Sequence, residues 1–205
     1  MSARIYIEGG GPSKGKNTAA KCRQAFRLFF DKFLPPRRLH IVASGGREEA
    51  YRDFTNATAN SLYGGGIIFL LVDSESHAAT NRSARQYLNE RDNWTFPADV
   101  SDDQLHMMVQ CMESWFVADK LALSEYYGSG FLMNSLPANP NVELIEKRDI
   151  AAALRHASRN TSKGTYDKGI HSFAILQVIS PDLVFQASFW ARRLRDTLLS
   201  HVQSL

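Results

Sequence analysis

Along the chain, strand-like apolar runs alternate with stretches of helical spacing. Arg4-Ile-Tyr-Ile-Glu8 is β-branched and aromatic and empties into Gly9-Gly10-Gly11-Pro12, which predicts a strand followed by a loop. From Asn17 the apolar residues Cys22, Phe26, Phe29, Phe30 and Phe33 recur on one helical face until Pro35-Pro36 stops them. Leu39 to Ala43 reads as a second strand, Gly45-Gly46 as its turn, and Glu48 to about Leu62 as a second helix. Gly64-Gly65-Gly66 then leads into Ile67-Ile-Phe-Leu-Leu-Val72, the unbroken apolar run that a strand covered on both faces requires, and Asp73 ends it. A helix is expected over Ser83–Arg91, a short strand over Leu105–Gln110 and a helix over Met112–Tyr127. Gly128 to Pro140 has the composition of a linker. Beyond it, helices are expected over Lys147–Arg159, Lys168–Ile179 and Asp182–Gln203. The last opens with Ser180 as a capping residue before Pro181, and its apolar face is Val184, Ala187, Ala191, Leu194, Leu198 and Val202.

This alternation predicts an α/β fold, an open and mostly parallel sheet flanked by helices with a helical C-terminal extension. The organisation expected is an α/β domain over residues 1–128, a linker over 129–146, and helices over 147–205 packed on the same domain. Composition agrees with a folded chain, since 44% of residues are hydrophobic and 22% charged, which excludes disorder as the main state. The longest apolar run is far short of the roughly 20 residues of a membrane span, and Glu8 interrupts any signal-peptide pattern, so a cytoplasmic location is expected. Cys22 and Cys111 are too few for a disulfide framework or a four-sulfur zinc site. Charge is uneven: residues 147–205 hold nine Lys/Arg against four Asp/Glu, and residues 1–146 hold fifteen against seventeen. A polyanion gripped by the basic third and processed by carboxylates elsewhere would produce that split, as would ordinary solvated helix faces.

In an open α/β sheet, ligands collect beyond the carboxyl ends of the strands, where Glu8 and Asp73-Ser-Glu75 are expected. Taken singly, each carboxylate could merely cap a strand or helix. Together they form the oxygen donor set that Mg²⁺ or Mn²⁺ takes, with crevice groups rather than core residues as ligands.

A strand ending in Glu-Gly, followed after a helix–strand–helix stretch by a hydrophobic strand ending in Asp-x-Asp or a close variant, is similar to the TOPRIM domain of topoisomerases, bacterial primases and OLD-type nucleases. Ile5-Tyr-Ile-Glu8-Gly9 matches the first motif and Leu70-Leu-Val-Asp73-Ser-Glu75 the second, with Glu replacing the second Asp. Val109-Gln-Cys-Met-Glu113-Ser-Trp-Phe-Val-Ala-Asp119 resembles the third acidic segment of small bacterial TOPRIM-like proteins, some of which accompany ABC-type ATPases in phage defence. The resemblance covers about residues 3–127 and extends weakly through Tyr166-Asp-Lys168-Gly169. It implies a Mg²⁺- or Mn²⁺-dependent nuclease acting on DNA or RNA, with an OLD-like ATPase as partner. Asp73 and Glu75 would hold the metal, Glu8 would be a further ligand or the proton-transferring group, and Glu113 would complete a second position. Lys168 would stabilise charge on the phosphate.

Lys14, Lys16, Arg47, Arg192, Arg193 and Arg195 are candidates for phosphate contacts, although such residues are more often solvated surface. His77 is a candidate proton donor that is more often just polar, and Trp94, Trp115, Phe116 and Trp190 read as core. Two rival readings use the same residues. Gly10 to Lys16 fits the G-x-x-x-x-G-K of a P-loop NTPase or small kinase, with Phe69–Asp73 as its second strand, but Asn17 stands where a hydroxyl is needed and Glu8 would repel the phosphates. The other is a non-catalytic TOPRIM-like binding subunit of an ATPase complex.

Overall fold

The computed structural model describes residues 3–11, 17–60 and 66–202. Four strands, β1 (Ala3–Glu8), β2 (Leu39–Gly45), β3 (Ile68–Asp73) and β4 (Leu105–Met108), form one all-parallel sheet in the order β2-β1-β3-β4. Around it lie α1 (Thr18–Phe30), α2 (Arg47–Ala59), α3 (Ala84–Asp92), α4 (Met112–Ala118), α5 (Lys120–Tyr127), α6 (Lys147–Ser158), α7 (Lys168–Val178), α8 (Pro181–Ala187) and α9 (Phe189–Val202). The chain steps from β1 outward to β2, then back across β1 to β3. Because parallel crossovers keep one hand, that reversal places α1 and α2 on opposite faces of the sheet. Side-chain alternation serves both faces. Ile5, Ile7, Phe69 and Leu71 meet Cys22, Phe26 and Phe29 of α1 in the larger core, while Tyr6, Leu70 and Val72 meet Ala50 and Phe54 of α2 in the smaller one. β3 lies between β1 and β4, is buried along its whole length, and therefore reads as a continuous apolar run.

The helical third joins the larger core. Trp115 of α4 stacks on Phe29 with centroids 5.3 Å apart, and Phe185 of α8 meets Phe33 edge-on at 5.0 Å. Residues 129–146 are also packed, carrying two short 3-10 turns and burying Leu136, Val142, Glu143 and Ile145. Two expected helices are each broken in two, for the same reason: a buried carboxylate collects backbone N–H groups. Asp119 separates α4 from α5 by accepting from the N–H of Ala122 at 3.0 Å and of Ser180 at 2.8 Å. Glu143 separates α8 from α9 by accepting from the Ser188 hydroxyl at 2.5 Å and the Trp190 N–H at 2.8 Å. Pro181 takes the first position of α8, but Ser180 makes no side-chain capping bond. No single helix among the described residues is long and apolar enough to cross a membrane.

Candidate metal centre

β1 and β3 pair in register through Ile7 and Leu71, so their carboxyl ends lie side by side where the strand order reverses. Glu8 and Asp73 are the last residues of those strands. Glu75 joins them because the chain beyond β3 continues along β4 while turning: the Ser74 N–H donates to Met108 O at 3.0 Å and the Glu75 N–H to Gln110 O at 2.7 Å. The turn puts Glu75 at φ 67°, a left-handed conformation that costs a non-glycine residue about 1–3 kcal/mol and that clusters at functional sites. One carboxylate oxygen from each of Glu8, Asp73 and Glu75 lies within 4.8 Å of the others.

The three carboxylates are held differently. Asp73 is only 4% exposed, and its Oδ1 accepts the N–H of Met112, the first residue of α4, at 2.9 Å. Its burial corrects the expectation of a pure crevice group. Glu8 Oε2 accepts the Asp73 N–H at 3.1 Å, tying the two strand ends together. Burial pushes the Asp73 carboxyl up to about 7, with Lys168 opposing and Glu8 and Glu113 adding to the rise. Burial raises Glu8 as well, against the pull of Arg47 and of the Asp73 N–H. Glu75 is lowered: its partial burial is outweighed by Lys147, whose Nζ stands 2.5 Å from Oε2.

Lys168, at the start of α7, stands 3.7 Å from Asp73 Oδ2 and 3.5 Å from Glu113 Oε1. Burial opposes its charge, but Asp73 and Glu113 hold the ammonium above its ordinary value. Glu113 is buried, accepts the Tyr166 hydroxyl on Oε1 at 2.9 Å, and leaves Oε2 without a hydrogen-bond partner among the described residues. It therefore borders the centre through Lys168. The crevice in front of the carboxylates, about 250 Å³, is lined by Glu8, Gly9 to Gly11, Asp73, Lys168 and Phe173 among others. Its floor is bare backbone by necessity: Gly10 has φ 79°, and a Cβ there would come within 2.7 Å of Ala19 Cα.

An oxygen-only donor set with two carboxyls raised by burial and mutual repulsion fits a hard divalent cation, which would supply the missing charge.

Several expected phosphate contacts are otherwise engaged. Arg47 is a brace for the strand ends: it donates to the Asp73 carbonyl oxygen, lies 3.6 Å from Glu8 Oε2, pairs with Asp92 at 2.5 Å and sits over the Trp94 ring. Arg193 is fixed at the opposite end of the sheet, where it donates to the carbonyl oxygens of Leu105 at 2.8 Å and Asp102 at 2.7 Å and pairs with Asp102 Oδ2 at 2.8 Å. Arg195 pairs with its neighbour Asp196, and Arg192 is exposed on α9. Lys14 and Lys16 lie outside the described residues. His77 Nδ1 faces the Glu143 carbonyl oxygen at 3.4 Å, and Trp94, Trp115, Phe116 and Trp190 are buried in the cores. Sequence reading missed Lys147 and Asp92, the groups that hold Glu75 and Arg47. For Lys147 a signal existed, since Lys147, Ala151 and Arg155 recur every four residues on one face of an expected helix.

The fold and site define an open parallel α/β protein with an acidic cluster at its switch point. The chain belongs to the family described as Domain of unknown function (DUF4276), whose model matches residues 14–199, a stretch that holds Asp73, Glu75, Glu113 and Lys168 and leaves out Glu8. No curated protein and no solved structure matches the chain.

Proposed function

We propose that the protein is a divalent-metal-dependent nuclease of the TOPRIM type, cleaving phosphodiester bonds in nucleic acid. The observation that carries this reading is the approach of Glu8, Asp73 and Glu75, distant in sequence, to within 4.8 Å at the strand ends. Asp73 and Glu75 would hold Mg²⁺ or Mn²⁺, and the ion supplies Lewis acidity toward phosphate oxygens and acidifies water. The Asp73 N–H on Glu8 Oε2 fixes this carboxylate beside the cluster, as a further ligand or the proton-transferring group, and its raised affinity for protons suits that second duty. Lys168 places positive charge beside Asp73, where a phosphate in the crevice would gain negative charge. Glu113 and Tyr166 fix Lys168 from behind. A cytoplasmic setting and an ATPase partner belong to the same proposal.

The test is incubation with Mg²⁺ or Mn²⁺ and a panel of duplex DNA, single strands and transfer RNA, with EDTA as control. Metal-dependent cleavage that is lost in Glu8→Gln, Asp73→Asn and Glu75→Gln is the expected result. Full activity in any two of the variants rejects the assignment, and metal binding without cleavage, even with an ATPase partner, favours a non-catalytic binding subunit.

A further inference from the structure

A second cavity, about 310 Å³, lies behind Lys168 and is lined by Cys111, Glu113, Lys147, Ala151, Arg155, Tyr166, Asp167 and Lys168. One wall is the face of α6 that carries Lys147, Ala151 and Arg155 at four-residue intervals, with the small Ala151 leaving room between two cations. The opposite wall is the start of α4 together with the approach to α7. Lys168 belongs to both cavities, and Lys147 reaches from this one to Glu75, so the two lysines form the partition between the second cavity and the carboxylate cluster. Arg155 is exposed and has no carboxylate partner among the described residues. Glu113 and Asp167 add two carboxylates to the lining.

We propose that this cavity is a nucleotide subsite, taking the unit of the strand next to the bond cleaved in front of Lys168. The inference rests on the nuclease reading for its place in the strand, but not for its ligand chemistry. Lys147, Arg155 and Lys168 supply three cations for a phosphate group. Two carboxylates, Glu113 and Asp167, line the same cavity as the three cations, so the occupant that suits it carries hydrogen-bond donors as well as a phosphate, as a nucleotide does in its hydroxyl and amino groups. The volume is at the small end for ligand sites and matches one nucleotide rather than a duplex.

The experiment is calorimetric titration of the full chain, in EDTA, with adenosine 5′-monophosphate, inorganic phosphate and adenosine. Arg155→Ala and Ala151→Leu are compared with the parent, because one removes a cation and the other fills the space without touching the three carboxylates. The monophosphate is expected to bind at least tenfold more tightly than phosphate or adenosine. Arg155→Ala should weaken it about tenfold, as loss of one charge-assisted contact does, and Ala151→Leu should weaken it further, while Mn²⁺ binding stays at the parental level in both. Monophosphate binding that is no tighter than phosphate binding, or that neither variant changes, overturns the subsite. If Mn²⁺ fails to bind the parent but the monophosphate still responds to Arg155→Ala, the nuclease reading falls and the nucleotide cavity stands.

Discussion

At the carboxyl ends of β1 and β3, three carboxylates converge on one point, whereas along α9 three arginines are spent on separate partners. Both regions carry a local excess of one charge, yet they handle it in opposite ways. On α9, Arg193 is consumed by Asp102 and two carbonyl oxygens, Arg195 by Asp196, and Arg192 by solvent. At the strand ends, Glu8 and Asp73 stay close despite burial and repulsion that raise both carboxyls, and the sheet holds them there through the Glu8–Asp73 hydrogen bond and the Arg47 brace. Charges that pair internally stabilise a fold. Like charges forced together by rigid strands lower its stability, and a ligand of opposite sign would relieve that cost, which is why we propose the cation at the strand ends and not on α9.

The contrast can be broken at either end. The largest effect expected is on cleavage: Asp73→Asn, Glu8→Gln and Glu75→Gln each lower it by more than about 100-fold, beyond what changes outside the ligand set produce, measured as the initial rate at saturating Mn²⁺. Arg193→Ala leaves the rate per folded molecule unchanged but lowers stability by about 2 kcal/mol, the scale of lost hydrogen bonds to a charged group, measured by urea denaturation. Asp73→Asn works the other way on stability. A carboxyl raised toward 7 on folding contributes its full stability below its unfolded value near 4, and loses that contribution as pH climbs through about 7. Asparagine keeps an acceptor for the Met112 N–H, so in EDTA at pH 8 the variant is expected to be more stable than the parent by about 1–2 kcal/mol, with the gap closing toward pH 4. Equal stability at both pH values would show that the cluster is already neutralised by its lysines. Arg195→Ala, which removes a pair with its neighbour Asp196 and a contact over the Phe185 ring, is expected to change stability by less than about 1 kcal/mol.

Strands and their order of appearance were legible in the sequence because burial on two faces leaves a plain signature, as in Ile67–Val72. The carboxylates at the strand ends were legible for a related reason: a charge that interrupts such a run must lie where the buried strand meets a crevice. Helix boundaries within the C-terminal half were not. Asp119 and Glu143 break helices by accepting N–H groups from residues 61 and 47 positions away, and no local pattern announces that. The arginines failed for a similar reason, since Arg47 and Arg193 look like surface charges until Asp92 and Asp102, remote in sequence, are seen to hold them. Asp73 was placed correctly at the strand end, but its depth came from α4 closing over it, a tertiary contact between residues 39 apart.

Direct measurement of Mn²⁺ binding by electron paramagnetic resonance is the plainest trial of the acidic cluster. Titration of the parent and of Glu8→Gln, Asp73→Asn and Glu75→Gln should give bound Mn²⁺ in the parent, abolished by Asp73→Asn and weakened at least tenfold by the other two. Mn²⁺ bound equally well by all four proteins would contradict the account, because the ion would then sit somewhere other than the strand ends.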